Sequence, residues 1–372
     1  MRNNLKTYPV FTALPDAVNT LLSEQLPSTL YQHLVSYCQK IECLTEGLSN
    51  QNFVLYCPTA TSITDFPQAF VLRVNDNQAS WCHREDEVFA WQQAAAQNIA
   101  PRLYFHSQGF EVYLSQYIQQ DTQWQQYYQE YGAKTYRKQT LSLFSSTTKP
   151  VDLLLSLLTQ LGQLPLPQKH VCYQQQWQQY QHTLADYYQS IVQHAPIDNV
   201  GGDKSNHQDD WLKCYQKLQQ ITPHCLLWFK ALDACLLHLS FCHRDLTPFN
   251  VLLQSINPID VASNETIDTQ ALVCIDFEYS AASHPLFDLA TIIATHQLSA
   301  EQVNYLKSRY FNWQFNQPTP KLTTEAIECV DHAVNCYWVF ACMWTLLIAS
   351  KGRFEYLDYF EHYFELIDLS SI

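Results

Sequence analysis

The sequence of 372 residues has few glycines and few basic residues. Its 7 glycines exclude glycine-rich repeats, and 21 Lys and Arg against 35 Asp and Glu give a formal net charge of -14. Because nucleic-acid binding needs a basic surface, this balance argues against DNA or RNA as a partner. An acidic chain instead favours a cationic partner, provided that its charge is concentrated near a site.

Paired cysteines and long apolar segments are also lacking. None of the 13 cysteines stands in a Cys-x-x-Cys pair, and they lie among apolar neighbours, as in residues 271–275. This usage is typical of buried, reduced thiols and predicts a cytoplasmic protein. The N-terminus lacks the apolar segment of a secretion signal. The longest apolar run, residues 337–349, is too short to span a membrane and predicts a buried helix.

The length of the chain exceeds what one compact core usually serves and predicts two domains, residues 1–118 and 119–372. The first is expected to be a small α+β unit with one main helix over residues 81–97. Its short strands are predicted at residues 41–44, 53–56, 70–74, 103–105 and 111–114. The second is expected to be mostly helical, and the Gln- and Tyr-rich segments within residues 119–190 are interpreted as amphipathic helices. Two strands interrupt these helices at residues 251–253 and 272–275.

The strongest chemical signal is FCHRDLTPFNVLL, residues 241–253, followed by a strand that ends at Asp276. Phosphoryl transfer needs a carboxylate that accepts or orients the proton of the attacking hydroxyl. It also needs an amide oxygen and a second carboxylate that hold Mg²⁺ against the nucleotide phosphates. Taken singly, each residue is explained more simply as a turn residue. Their conjunction favours a kinase-like site with Asp245 as the catalytic group, Asn250 and Asp276 as metal ligands, and His243 as a brace of the loop.

The first domain contains a candidate phosphate-binding turn. The segment LTEGLSNQNFVL reads as strand, turn and strand, with Gly47, Ser49 and Asn50 in or beside the turn. Such a motif is weak alone, since most turns of this kind bind nothing. In this context, its backbone N–H groups and the Ser49 hydroxyl are candidates for holding ATP phosphates.

Arg73 stands in the apolar strand FVLRV. It is either an exposed strand residue or the cation that holds the nucleotide phosphates, and its position before an acidic helix favours the second. Its expected ion-pair partner is Glu87, with Glu85 as the alternative. A solvated helix face is the competing interpretation of both glutamates.

These motifs resemble the aminoglycoside phosphotransferase/choline kinase superfamily, and more narrowly its choline/ethanolamine kinase branch. GLSNQNFVL is similar to the phosphate loop of the family, and FVLRV to the strand in which it carries Arg where protein kinases carry Lys. HRDLTPFN fits its His-x-Asp-Leu-x-x-x-Asn loop. IDFEYS, residues 275–280, is similar to the metal segment, and the FDL of residues 287–289 resembles the acidic motif after it. The resemblance extends over residues 44–364, with residues 119–240 matching only in helical character.

The resemblance implies a two-lobed, protein-kinase-like α+β fold. The N-lobe is expected to carry an antiparallel sheet and one main helix, and the C-lobe to be large and mostly helical. The implied cofactors are ATP and Mg²⁺, and the implied reaction is phosphorylation of the hydroxyl of a small amino alcohol. Asp288 is implied as a second brace of the catalytic loop, and Tyr117 and Ile118 as hinge residues beside adenine.

The C-terminal helices resemble those whose aromatic residues surround choline in the family. This implies Trp344 and Tyr359 as substrate residues, together with Glu278 and Tyr279 of the metal segment. Aromatic ring faces attract quaternary ammonium groups, by about 2 kcal/mol for a desolvated contact. The expected substrate is therefore a small cationic alcohol, with choline or ethanolamine as the first candidates.

The substrate pocket also departs from the family pattern. A second family Trp is replaced by Ala341, and the segment between the two implied pocket aromatics is shorter. Other aromatics of the tail, such as Trp338 and Phe354, are expected to fill the core. A thiamine kinase and an aminoglycoside phosphotransferase therefore stay open as alternatives. The alternative from another class is a pseudokinase that binds nucleotide as a scaffold.

Overall fold

The computed structural model describes residues 14–44, 50–58, 66–75, 82–119, 149–193, 202–255 and 270–370, with only the backbone of residues 202–206 and 255. The described residues form two compact units. Unit 1 comprises those within Met1–Tyr136 and Phe249–Tyr279, and unit 2 those within Arg137–Pro248 and Ser280–Ile372. Residues 249–279, which the sequence assigns to the second domain, thus group with the first. The bounds 1–118 and 119–372 stay a prediction.

Unit 1 begins with two helices that the sequence analysis did not identify, followed by an antiparallel sheet. The elements are α1 (Asp16–Gln25), α2 (Ser28–Tyr37), β1 (Lys40–Leu44), β2 (Asn50–Tyr56), β3 (Ala69–Asn75), α3 (Arg84–Ala96), β4 (Leu103–His106) and β5 (Val112–Gln116). The strand order is β1-β2-β3-β5-β4, and every pair is antiparallel. All five predicted strands and the predicted helix are present.

Alternation along the strands divides the sheet into two faces. Phe70 and Leu72 of β3 and Leu114 of β5 are fully buried and belong to the apolar cluster that contains α1 and α2. Arg73 directly follows Leu72 in β3 and therefore lies on the opposite face of the sheet. It pairs there with Tyr113 of β5. The guanidinium of Arg73 thus lies on the face of the sheet opposite this apolar cluster.

The next elements along the chain belong to unit 2. They are α4 (Lys149–Leu161), β6 (His170–Val171), α5 (Tyr173–Gln193), α6 (Gly202–Gln220), α7 (Thr222–Cys235) and β7 (Ser240–Cys242). α4 buries Val151, Leu154, Leu158 and Leu161 at helical spacing, which is the amphipathic pattern that the sequence predicts.

The chain then forms a hairpin that belongs to unit 1. Its strands are β8 (Val251–Ser255) and β9 (Gln270–Cys274), which pair in register from Val251 opposite Cys274. This register places the residues just before β8 beside those just after β9. Asn250 and Asp276 occupy these two ends.

Unit 2 ends with the strand β10 (Ala281–Ser283) and with α8 (Leu286–Thr295), α9 (Ala300–Phe315), α10 (Val330–Ala349) and α11 (Leu357–Glu365). β10 pairs with β7 and with β6. The helix α10 is longer than the predicted apolar run, and by length and composition it is apolar enough to cross a membrane. Of its most apolar window, 61% is buried, and it packs against α8 and α11. This packing is that of a core helix.

The cysteines mostly follow the expectation from their neighbours. All are free thiols, and they are buried except for exposed Cys43 and half-buried Cys82 and Cys172. Cys43 lies on β1, the edge strand of the sheet, which explains its exposure.

Candidate active site

Arg73 is the centre of a buried ion-pair cluster in unit 1. Its Nη1 donates to Asp276 Oδ1 at 2.9 Å and lies 3.1 Å from Glu87 Oε1. Its Nη2 donates to Glu278 Oε2 at 3.2 Å. One guanidinium group therefore binds three carboxylates, one from α3 and two from the segment that follows β9.

Glu87 is the carboxylate that α3 contributes to this cluster. It is 1% exposed, and its Oε2 accepts from Arg84 Nη1 at 2.7 Å and from Tyr113 Oη at 3.0 Å. Glu85, the alternative partner of Arg73, is exposed. Between the two glutamates, the structure therefore places Glu87 against Arg73.

The charges of the cluster shift its protonation equilibria. Burial alone would lower the pKa of Arg73, but attraction to Asp276, Glu87 and Glu278 outweighs burial and raises it. Burial raises the pKa of Glu278 to about 7, with repulsion by Asp276 adding to the rise and attraction by Arg73 opposing it. Glu278 is therefore a carboxyl group of the cluster that changes charge near neutral pH.

Asn250 and Asp276 both lie at the base of the β8–β9 hairpin. The Ile275 N–H donates to the Asn250 carbonyl at 3.0 Å. Asp276 follows with a φ of 66°, a left-handed conformation that Asp tolerates better than most residues. Its side chain is 32% exposed, so ligands can reach the carboxylate. The hairpin thus brings the two predicted metal ligands together.

These two side chains fit a magnesium ion bound jointly with nucleotide. Mg²⁺ is usually held by one or two carboxylates, water and substrate phosphates, rather than by a complete set of protein ligands. Within the described ranges, no group of three or more His, Cys, Asp and Glu side chains is arranged to hold a metal ion. A magnesium site that is completed by substrate phosphates needs few protein ligands. The amide oxygen of Asn250 and the accessible carboxylate of Asp276 can supply them.

The other predicted ATP residues are placed only in part. Gly47 and Ser49 lie outside the described residues, and Asn50 is the first residue of β2. Tyr117 follows β5, and its N–H donates to a carbonyl of β3 at 3.1 Å. Ile118 is 9% exposed. Tyr117 and Ile118, the two hinge candidates, therefore directly follow β5 of the sheet that carries Arg73.

The catalytic-loop segment follows β7 in unit 2, and Asp288 of α8 holds its backbone. The Asp288 carboxylate accepts the His243 N–H at 2.8 Å and the Arg244 N–H at 2.7 Å. The Asp245 N–H donates to His243 Nδ1 at 3.3 Å. Burial raises the pKa of Asp288 to about 6, although the two backbone hydrogen bonds hold it lower than burial alone would. His243 and Asp288 thus contact the loop on the N-terminal side of Asp245.

Arg244 has contacts that the sequence analysis did not single out. Its guanidinium lies 4.8 Å from the centre of the Phe287 ring, and its Nη2 donates to the side chain of Gln176 on α5. Phe287 stacks on Tyr173 with ring centres 5.2 Å apart. Because α5 lies about seventy residues before the loop in sequence, no local motif indicates these contacts.

Trp344 and Tyr359 both contact a third aromatic residue, Tyr356, which the sequence analysis also missed. Their ring centres lie 5.4 Å and 5.9 Å from that of Tyr356. The Arg353 guanidinium lies 4.6 Å from the centre of the Tyr356 ring. Trp344 and Tyr359 are half-buried, so each keeps accessible ring surface.

Ala341 stands where the family has a second Trp, and the residue before it is buried among other aromatic rings. Phe340, next to Ala341, is 6% exposed, with its ring centre 6.1 Å from Tyr173 and 6.4 Å from Phe287. Trp338 is also buried, as expected for a core residue. The aromatics of α10 therefore divide into buried Trp338 and Phe340 and half-buried Tyr337 and Trp344.

The four predicted substrate residues fall into two groups. Glu278 is 5% exposed and belongs with Arg73 in unit 1, where half-buried Tyr279 follows it. Trp344 and Tyr359 belong to unit 2. The structure gives the carboxylate of Glu278 an internal cation as its partner.

The raised pKa of Glu278 predicts a pH-dependent stability. From its ordinary pKa of 4.5 up to about 7, the folded protein binds more protons at this group than the unfolded chain. Through this group, the free energy of unfolding therefore falls as pH rises across that window. Glu278→Gln removes this titrating group. We therefore expect the variant to become progressively more stable relative to the unmodified protein as the pH rises from 5 to 8, measured by urea titration without Mg²⁺.

Glu85→Gln on the same helix as Glu87 is the matched control, since Glu85 is exposed. Its stability difference from the unmodified protein is expected to stay constant across the same pH range. A difference for Glu278→Gln that is equally independent of pH would show that the carboxyl group titrates as it does in the unfolded chain.

Comparison with known proteins connects this geometry to a family. A model described as choline/ethanolamine kinase matches residues 41–368. Protein LicA of Haemophilus influenzae strain Rd is 41% identical over 114 residues, which are 30% of this chain and 36% of LicA. This chain therefore spans about a third of the length of that curated relative.

Solved structures extend the similarity to nearly the whole chain. The choline kinase LicA from Streptococcus pneumoniae has a TM-score of 0.53 and 13% identity, with 95% of this chain and 97% of that one covered. A spectinomycin phosphotransferase solved with ADP and spectinomycin has a TM-score of 0.56 and 13% identity, with coverages of 92% and 98%. At such identities the similarity shows the fold, and the predicted protein-kinase-like α+β fold is confirmed.

Proposed function

Because this chain belongs to the choline/ethanolamine kinase family, we propose that it transfers the γ-phosphate of ATP to the hydroxyl of a small cationic alcohol. Choline and ethanolamine are the first candidates. The observation that carries the proposal is the intact set of Asp245, Asn250 and Asp276, with the loop of Asp245 held by Asp288.

Asp245 would accept or orient the proton of the attacking hydroxyl. Its side chain is half-buried, and the backbone before it is fixed by Asp288 and by the ring of His243. A group that transfers protons works best when its position is fixed before the substrate binds. The bonds made by Asp288 and by His243 Nδ1 to backbone N–H groups of the loop meet that requirement.

Asn250 and Asp276 would hold Mg²⁺, which neutralises charge on the phosphate oxygens when it is bound with ATP. Asp276 Oδ1 is held by Arg73 at 2.9 Å, which orients the carboxylate. Arg73 thereby supplies fixed positive charge in a cluster that otherwise has three carboxylates. Since Arg73 is already bound by three carboxylates, Mg²⁺ is the cation that would offset the charge of ATP.

The alcohol would be held by the aromatic residues of unit 2. Tyr356 already binds a cation, Arg353, on its ring face, and Trp344 and Tyr359 contact the same ring. The two half-buried rings are the surface that an ammonium group would use. The substrate's charge thus agrees with the acidic composition of the chain.

Three alternatives compete with this proposal. The similarity to a spectinomycin phosphotransferase extends over 92% of the chain, which makes an aminoglycoside a competing acceptor, and a thiamine kinase is the other. A pseudokinase would bind nucleotide as a scaffold without turnover. Such proteins commonly lose a member of the base and metal set, whereas all three members stand in this sequence.

The test is ADP release by the purified full chain with ATP on a panel of choline, ethanolamine, thiamine and aminoglycosides. Release is expected to require both Mg²⁺ and an amino alcohol. The carbon analogue of choline, 3,3-dimethyl-1-butanol, is the matched control because it has the same shape without the charge. Its KM is expected to be about 10-fold higher or more, from the loss of cation–π attraction.

Other outcomes separate the alternatives. If only aminoglycosides or only thiamine are turned over, the protein is a kinase whose acceptor is that compound instead of an amino alcohol. Tight ATP binding without ADP release with any compound of the panel would show that the protein is a pseudokinase. Equal KM values for choline and its carbon analogue would show that the aromatic rings do not bind the ammonium group of the substrate.

A further inference from the structure

The helix α8 holds the catalytic loop at a second place, on the C-terminal side of Asp245. His296 directly follows α8, and its Nε2 lies 2.9 Å from the carbonyl oxygen of Leu246. Since a carbonyl only accepts, the Nε2–H of His296 is the donor. Asp288, in the first turn of the same helix, accepts the N–H groups of the two residues before Asp245. One helix thus bonds the backbone on both sides of the catalytic group.

The environment of His296 keeps this donor in place. The residue is 1% exposed and Leu246 is fully buried, so water does not compete for the carbonyl. Burial lowers the pKa of His296 to about 4, which keeps the imidazole neutral at physiological pH. Its Nδ1 has no hydrogen-bond partner among the residues that the structure describes. The bond to the Leu246 carbonyl is therefore the polar contact that this side chain makes there.

Helix geometry explains how Asp288 of α8 and His296, which directly follows α8, reach one short loop. Asp288 and His296 are eight residues apart, which is about 12 Å along a helix axis and slightly more than two turns. They therefore lie on neighbouring faces of the helix. A rigid helix that holds two points of a loop fixes the segment between them better than either bond alone.

We propose that His296 is a positioning residue for Asp245, acting through its hydrogen bond to the Leu246 carbonyl. The proposal rests on the proposed function of Asp245 as the group that accepts or orients the hydroxyl proton. Without the bond, the buried Leu246 carbonyl loses its partner and the loop shifts at the residue after Asp245. A displacement of about 1 Å at a reacting group is enough to lower a rate by about 100-fold.

Three substitutions separate the hydrogen bond from the shape of the side chain. His296→Phe keeps a planar ring and removes the donor. His296→Gln keeps a donor, because its Nε2 lies as many bonds from Cα as the imidazole Nε2. His296→Asn places a donor at the position of Nδ1 instead, where it does not reach the carbonyl. The expected order of kcat is unmodified protein and Gln, then Asn and Phe about 10- to 100-fold lower, with the KM values for ATP and alcohol within about 3-fold.

Trp211→Phe is the matched control for general damage to the fold. Trp211 is also buried, and its Nε1–H donates to a buried carbonyl, that of Leu346 in α10, at 3.0 Å. Loss of this bond is expected to lower thermal stability without the selective loss of kcat. Equal losses of kcat in Trp211→Phe and His296→Phe would overturn the proposal, as would failure of His296→Gln to restore the rate in a folded protein.

Hydrogen exchange on the protein without substrate tests the same bond independently of turnover. We expect amide exchange within residues 243–247 to be about 10-fold faster or more in His296→Phe than in the unmodified protein, and near normal in His296→Gln. If no panel compound is turned over, the proposed function fails, while this measurement still decides whether His296 holds the loop. Unchanged exchange in His296→Phe would refute the proposal.

Discussion

Asp245→Asn is expected to lower kcat about 1000-fold with the best alcohol of the panel. Asparagine has nearly the same shape as aspartate but cannot accept the hydroxyl proton. The fold of the loop should survive, because Asp288 and His296 bind its backbone and neither bonds the Asp245 side chain. Steady-state kinetics give kcat, and calorimetric titration with Mg²⁺-ATP is expected to show an affinity within about 3-fold of normal.

The control for this substitution is Asp186→Asn on α5, where the side chain is 70% exposed. It makes the same chemical change away from the loop and should leave kcat unchanged. A residual rate in Asp245→Asn within tenfold of normal would assign proton transfer to another group. Loss of Mg²⁺-ATP binding in this variant would instead show that Asp245 contributes to the nucleotide site.

Arg73→Met is expected to lower the free energy of unfolding by about 3–5 kcal/mol, because it removes the cation that the buried Glu278 carboxylate binds and leaves Glu87 with Arg84. Glu87 and Glu278 are 1% and 5% exposed, so water does not replace the lost charge. The penalty should grow from pH 5 to pH 8, since Glu278 loses its proton across this range. Urea unfolding followed by circular dichroism measures both effects.

Arg102→Met is the matched control, because Arg102 is an exposed cation over the ring of Tyr104 in the same unit. It is expected to change the free energy of unfolding by less than about 1 kcal/mol. Arg73→Lys should recover part of the loss, since one ammonium group can serve fewer of the three carboxylates. A penalty for Arg73→Met as small as that of Arg102→Met would show that the cluster relaxes into solvent.

Local patterns were enough to predict the family and the elements near the site. HRDLTPFN and IDFEYS indicated the family that the comparison confirms. The composition of FVLRV placed Arg73 on a strand, and the spacing of Val88, Trp91, Ala94 and Ala95, without Gly or Pro, predicted the helix beside it. These inferences succeeded because a motif, a turn or a strand is specified by residues that are adjacent in sequence.

The partners of these residues could not be predicted in the same way. Sequence spacing left Glu85 and Glu87 open, since both stand in the first turn of α3. Only packing against the sheet buries one of them and exposes the other. Tyr356 and His296 belong to no motif, and their contacts depend on where α11 begins and where α8 ends.

The sequence by itself determined the family, the α+β class and the set of chemical groups, Asp245, Asn250 and Asp276, because these depend on short-range order. Only the tertiary structure decided what holds them. Arg73 meets Asp276 across 203 residues, and His296 meets Leu246 across 50. Such contacts depend on how whole elements pack, and packing is set by the summed burial of many side chains rather than by any one segment.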